Sequence, residues 1–72
     1  MTWQSCPYFE SSNIASARYD GEGQILEITF HNGGIYQYYD VPAQLAAEFG
    51  QAESKGSFLA RAIKGHYRYA KV

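Results

Sequence analysis

The chain has 72 residues, of which 46% are hydrophobic and 17% aromatic, and its formal net charge is −1. A chain of this length forms one domain that buries about 60% of the surface its unfolded form exposes, so large rings help to fill a thin core. One cysteine excludes an internal disulfide, and the sequence contains neither a signal peptide pattern nor an apolar run of about 18 residues that would span a bilayer. We therefore expect a cytoplasmic protein.

Charge is distributed unevenly along the chain. The first 53 residues contain seven acidic residues and one basic residue, a net charge of −6, whereas the last nineteen contain five basic residues and no acid. This asymmetry indicates either an anionic partner or a pairing of the two halves within the fold, and the sequence leaves both readings open.

The first ten residues are interpreted as an N-terminal extension, and residues 11–72 as a single domain. The extension holds three rings, Trp3, Tyr8 and Phe9, which we expect to pack on the domain because large exposed rings are uncommon on a soluble chain.

Two strands are predicted next along the chain. Residues 14–19 (IASARY) are the weaker candidate, and the segment DGEG after them allows a tight reversal. In the following QILEITF, Leu26, Ile28 and Phe30 alternate with polar residues, which is the period of a half-buried strand. The segment HNGG then predicts a hairpin to a third strand that contains three tyrosines.

The length of this hairpin loop decides which tyrosines face the core. A two-residue loop turns Gln37 onto the apolar face, whereas a three-residue loop pairs Ile28 with Tyr36 and Leu26 with Tyr38. A buried Gln amide without a partner costs about 1–3 kcal/mol, so we favour the three-residue loop. Tyr39 then faces solvent, where it is available to bind a partner.

Two helices are predicted after the third strand. The first covers about residues 42–52, begins at Pro42 and is capped by Asp40 or Val41. The second is capped by Ser57 and ends at Gly65.

The tail HYRYAKV alternates and is a candidate for a short edge strand. The predicted fold is thus α+β, a three-stranded antiparallel meander followed by two helices, with the tail as a candidate fourth strand.

An ordered set of residues over about residues 11–69 resembles the KTSC family, a small domain named for the C-terminus of some lysyl-tRNA synthetases and also found alone in bacteria and phages. The residues that carry the resemblance are Ser12, Ile14, Tyr19, Leu26, Phe30, Gly33, Tyr36, Tyr38, Val41, Pro42, Ser54, Gly56, Phe58, Ile63 and Tyr67. The resemblance implies a binding module, for which RNA binding has been suggested.

We predict no catalytic residue, no metal site and no cofactor. A catalytic histidine needs an orienting carboxylate and a nucleophile, and neither His31 nor His66 lies in such a pattern. Cys6 has no basic neighbour in sequence to lower its pKa, and the chain has no second cysteine to complete a zinc set.

The basic C-terminal third interleaves cations with rings, as single-stranded nucleic acid sites do. The candidate phosphate contacts and stacking rings are Lys55, Arg61, Lys64, Arg68, Lys71, Tyr67 and Tyr69. In the alternative reading these cations neutralise the acidic first half. The predicted function is a non-enzymatic protein-interaction or regulatory module of a larger bacterial or phage assembly, with an RNA-binding accessory domain as the alternative.

Overall fold

The structure, a computed structural model, describes residues 3–7 and 9–72. Within these residues, five strands form one antiparallel sheet in chain order: β1 (Trp3–Ser5), β2 (Ile14–Asp20), β3 (Ile25–Phe30), β4 (Ile35–Tyr38) and β5 (Tyr69–Lys71). Two helices, α1 (Ala43–Gln51) and α2 (Lys55–Phe58), lie between β4 and β5, and α2 continues into a π-helical turn over Leu59–Ile63.

The α+β class is confirmed, but the sheet has five strands and not the predicted three with a candidate fourth. The tail does form an edge strand, β5, while the N-terminal extension supplies an unpredicted strand, β1, at the opposite edge. A three-residue strand such as WQS is too short to show a period of two, which is why the sequence gives no signal for it. Of the three rings in the extension, Trp3 lies in β1, Phe9 packs against the core, and Tyr8 lies outside the described residues.

The hairpin between β3 and β4 has the three-residue loop. Leu26 pairs with Tyr38 and Ile28 with Tyr36. The Phe30 N–H donates to the Gly34 carbonyl at 2.8 Å, and the Gly33 N–H donates back to the Phe30 carbonyl at 2.9 Å. Gly33 has φ of +94°, the left-handed conformation that a bulged glycine takes after a type I turn. The favoured register is therefore confirmed.

The predicted cap of the first helix is wrong. Pro42 occupies the N-cap position of α1 and no side chain caps the helix. Asp40 has φ of +59°, and its carboxylate binds Arg68 instead of the helix end.

The predicted cap of the second helix is also wrong. Ser54, in an extended conformation, is the N-cap of α2, and its hydroxyl accepts the Ser57 N–H at 3.3 Å. Ser57 is thus already inside the helix, three residues past the cap. Gly65, with φ of +84°, follows the end of the π-helical turn.

The core lies between the helices and one face of the sheet. Its fully buried members come from both layers and are Ile14, Leu26, Ile28, Tyr38, Val41, Phe49 and Ile63. Phe49 and Phe58 meet edge to face, with ring centroids 6.1 Å apart. Burial of such a ring removes about 150–250 Å² from water, so a few rings supply much of the apolar area of this small domain.

We predict that Tyr36 and Tyr38 in β4 and Tyr39 directly after it differ in their contribution to stability. Tyr38 is 2% exposed, whereas Tyr36 and Tyr39 are half-buried. Tyr38→Ala should lower the free energy of unfolding by about 3–5 kcal/mol, because it removes a buried ring and leaves a cavity. Tyr39→Ala should cost less than about 1.5 kcal/mol. Urea unfolding of both variants checks this, and a larger loss for Tyr39→Ala would contradict the register.

Candidate binding groove beside strand β5

The sheet separates the candidate residues of the C-terminal third onto two faces. Tyr69 and Lys71 are paired with Tyr38 and Tyr36 in β4, so their side chains lie on the helix side of the sheet. Arg68 lies on the opposite face, where its guanidinium carbon is 5.5 Å from the Tyr39 ring centroid.

Arg68 binds a carboxylate of the acidic half of the chain. Its Nη2 donates to Asp40 Oδ2 at 3.0 Å, and the side chains are 75% and 72% exposed. An ion pair this exposed contributes little to stability, but it neutralises the cation locally.

Lys55 and Arg61 lie on the helical segment, away from β5. The Lys55 ammonium donates to the Ala52 carbonyl at 3.1 Å and is 4.8 Å from the Phe9 ring centroid. The Arg61 guanidinium is 5.4 Å from the Phe58 ring centroid. It borders a surface depression that Glu48 and Glu53 also line. The five cations of the C-terminal third therefore do not form one continuous patch.

The rings of β4 and β5 form a cluster on the helix side. Tyr69 lies 5.7 Å from Tyr36 and 5.8 Å from Tyr38, measured between ring centroids. Phe30 meets Tyr36 edge to face at 5.5 Å. Tyr69 is 59% exposed although it contacts two rings, so the cluster reaches from the core to the surface. Tyr67 is half-buried against the core and is less accessible than Tyr69.

Two adjoining cavities follow this cluster along β5. The first has a volume of about 470 Å³ and is lined by Phe30, Asn32, Tyr36, Tyr38, Lys64, Gly65 and Tyr69. The second has a volume of about 310 Å³ and is lined by Asn32, Gly33, Gly34, Tyr36 and Lys71. They share Asn32 and Tyr36, and we call them together the tyrosine groove.

Positive charge borders the tyrosine groove at two points. Lys64 enters its lining from the end of the π-helical turn, and Lys71 enters from β5. Among the described residues, no carboxylate lines the groove, and neither lysine ammonium has a hydrogen-bond or ion-pair partner. The groove thus combines exposed aromatic surface with unneutralised ammonium groups.

The backbone of β5 is open along the groove. The Tyr39 N–H donates to the Arg68 carbonyl and the Val72 N–H to the Ile35 carbonyl, at 2.9 and 2.8 Å. In an antiparallel ladder, bonded pairs alternate with unbonded pairs. The N–H and C=O groups of Tyr69 and Lys71 therefore point away from β4, toward the free edge of the sheet.

The opposite face of the sheet is internally neutralised. The Arg18 guanidinium binds the Glu27 carboxylate and lies 4.3 Å from the Trp3 ring centroid. Glu27 is 7% exposed, so its charge needs this partner. Tyr39, the predicted partner-binding ring, is half-buried and donates its hydroxyl to Gln37 Oε1 at 3.1 Å.

Burial shifts the pKa of described side chains near the core. Burial raises the pKa of the Tyr38 hydroxyl above its usual range, and the neighbouring Tyr36 and Tyr69 hydroxyls act in the same direction. Burial also raises the pKa of the Cys6 thiol, against the lowering influence of Lys55, so this thiol is a weak nucleophile at neutral pH. His31 Nε2 lies 2.9 Å from the Ser11 carbonyl oxygen. Within the described residues, His, Cys, Asp and Glu side chains form no group of three suited to a metal ion.

Sequence reasoning found the lysines and Tyr69 but did not place Phe30, Asn32 and Tyr36 with them. Part of the groove could have been predicted from the sequence, because the three-residue loop already places Tyr36 and Tyr38 on one face of the sheet. The register of β5 against β4 was missing, because the alternation of the tail predicts a strand but does not tell which residues of β4 it pairs with.

The architecture and the groove define a small α+β domain with one face of a five-stranded meander covered by helices and an open edge strand. The family model of the KTSC domain matches residues 10–67. The chain belongs to the KTSC domain family.

Relatives include both short proteins and much longer ones. A KTSC domain protein from Yersinia pestis has a solved structure that superposes with a TM-score of 0.90 at 39% identity, covering 99% of both chains. A protein from Stutzerimonas stutzeri is 38% identical over 88% of this chain and 90% of its own length. A lysine–tRNA ligase from Nostoc sp. is 36% identical over 88% of this chain, which spans 11% of the ligase.

Within the described residues, no helix has the length and apolar character that crossing a bilayer requires.

The raised pKa of Tyr38 predicts a loss of stability at high pH. The folded chain keeps this proton at a pH where the unfolded chain releases it, so the contribution is complete below about pH 10 and is lost as pH rises further. Urea unfolding between about pH 8 and about pH 11 should show a declining free energy, and Tyr38→Phe should make the decline shallower. Tyr19, whose pKa is also raised by burial, leaves a residual slope. Equal slopes in both proteins would contradict this assignment.

Proposed function

We propose that this chain is a non-enzymatic binding module that receives a segment of a partner protein in the tyrosine groove, as a regulatory part of a larger cytoplasmic assembly. The observation that carries the proposal is the open edge of β5 beside this groove. Tyr69 is 59% exposed there, and an exposed ring among other rings is a common anchor for a partner.

The proposal of a non-enzymatic role rests on the chemistry of the groove. Its lining offers phenol hydroxyls, an amide and two ammonium groups, and no general base or activated nucleophile stands among them. These groups are suited to binding a ligand through hydrogen bonds and charge.

Single-stranded RNA is a second candidate ligand for the same groove. Lys64 and Lys71 beside Tyr36 and Tyr69 offer phosphate contacts and stacking rings, and some relatives are lysine–tRNA ligases, which act on an RNA. The protein partner is favoured because Arg61 and Arg68 lie elsewhere, which leaves two cations at the groove. Two phosphate contacts on a single strand give a salt dependence of only about −1.4 in log K against log salt.

Affinity capture from a bacterial lysate tests the function. We expect the chain to retain a protein after nuclease treatment, and Lys64→Ser/Lys71→Ser to lose that protein. The matched control, Arg61→Ser/Arg68→Ser, removes the same charge from exposed positions outside the groove and should retain it. Capture that disappears with nuclease would assign the groove to RNA. Equal capture by both variants would place the binding surface elsewhere.

A further inference from the structure

We infer that the occupant of the tyrosine groove is an extended, acidic segment of the partner, which adds to the sheet as a sixth strand along β5. This inference rests on the proposed function and specifies the chemistry of its partner. Three features of the groove lead to it: the direction of the β5 backbone groups, the charge of the lining, and the exposed ring between the charges.

The backbone of β5 offers the hydrogen bonds that an added strand uses. The outward N–H and C=O groups belong to Tyr69 and Lys71, and among the described residues nothing binds them. Groups two residues apart along a strand are separated by about 6.6 Å, which is the repeat of a second extended chain. A peptide strand satisfies this row with its own backbone, whereas a nucleotide strand has no matching series of donors and acceptors.

The charge of the lining selects the side chains of the added strand. A residue that pairs with Lys71 places its side chain on the helix side of the sheet, beside the Lys71 ammonium. Lys64 borders the same groove from the end of the π-helical turn, and no carboxylate of the described residues neutralises either cation. Acidic side chains in the occupant therefore complement both.

The position between the two lysines favours an apolar side chain. Tyr69 precedes Lys71 by two residues in β5, lines the 470 Å³ cavity and is 59% exposed. A residue opposite Tyr69 contacts this ring and the Tyr36 ring behind it, which lies 5.7 Å away. The expected occupant thus has the sequence pattern acid, any residue, apolar or aromatic residue, any residue, acid.

The opposite face contributes little to this selection. Arg68, which directly precedes β5, already binds Asp40, so an outward side chain of an added strand near Arg68 meets a paired charge. Specificity is expected at the three helix-side positions and not at the two between them.

A phage library of random octapeptides tests the inference on the intact chain. Peptides selected on the chain should be enriched in the acid-x-apolar-x-acid pattern. The best selected octapeptide, made synthetically, should lose about fivefold in affinity for each of Lys64→Ser and Lys71→Ser and almost nothing for Arg68→Ser. The same octapeptide with lysine in place of its acidic residues should not bind.

Backbone pairing is tested by N-methylation of the same octapeptide. We expect the added strand to run antiparallel to β5, as neighbouring strands of this sheet do, so the residues opposite Tyr69 and Lys71 bond to it. Methyl groups on the amides of these two helix-side residues block the hydrogen bonds to β5 and should abolish binding. Methyl groups on the amides of the residues between them face away from β5 and should leave most of the affinity. Equal losses from the two methylation patterns would overturn the added strand.

The remaining outcomes separate this inference from the proposed function. Selection of neutral or basic peptides, or of none, overturns the acidic strand, while nuclease-resistant capture that depends on Lys64 and Lys71 still supports a protein partner. A decauridine that displaces the octapeptide at equal concentration assigns the groove to RNA. A dimer in sedimentation equilibrium that Tyr69→Lys dissolves assigns β5 to a second copy of the chain. Either result overturns the inference.

Discussion

The three-residue turn at Gly33 determines which side chains of β4 meet the helices. A shift of one residue in the β3–β4 register would move Tyr36 and Tyr38 to the open face of the sheet and bring Gln37 into the core. The hydrogen bonds between Phe30 and Gly34 and between Gly33 and Phe30 fix this register. Because β5 pairs with β4, the same turn also sets which face carries Tyr69 and Lys71. The core and the tyrosine groove are thus consequences of one local constraint.

Electrostatic pairing distinguishes the two lysines of the groove from three other cations of the domain. Arg18 and Arg68 bind carboxylates on the open face, and Lys55 binds a carbonyl near its own helix. Lys64 and Lys71 remain unpaired among the described residues. The internal pairing of the two halves holds for one cation, because Arg68 pairs with Asp40 of the acidic half. An anionic partner stays a prediction, which the two lysines of the groove motivate.

The aromatic residues of β4 and β5 form one cluster that extends from the core to the surface. Tyr38 is fully buried and Tyr69 is largely exposed, yet their ring centroids are 5.8 Å apart. A thin core cannot bury every ring that fills it, so some aromatic surface reaches the solvent at its rim. In this domain the rim coincides with an open strand edge. Natural proteins either protect such an edge from pairing with another chain or use it for that pairing.

The period of two in the hydrophobic residues and the residues typical of turns predicted those elements that are long enough to contain such a pattern. The alternation of Leu26, Ile28 and Phe30 and the turn at Gly33 gave β3, β4 and their register. The cap of the second helix was predicted wrongly because Ser54 and Ser57 are both acceptable caps in sequence. In the structure Ser54 has the extended conformation of a cap and accepts the Ser57 N–H. Strand β1 and the register of β5 depend on pairing across the sheet, and three-residue segments contain too little pattern to indicate either.

Amide hydrogen exchange of the free chain tests most directly the claim that β5 presents an open edge beside the tyrosine groove. The Ala70 N–H lies in a bonded pair with Gln37, while the N–H groups of Tyr69 and Lys71 point to solvent. We expect slow exchange at Ala70 and exchange close to the unstructured rate at Tyr69 and Lys71. Protection of Tyr69 and Lys71 in the monomeric free chain, with fast exchange at Ala70, would contradict the register of β5 and the open edge together.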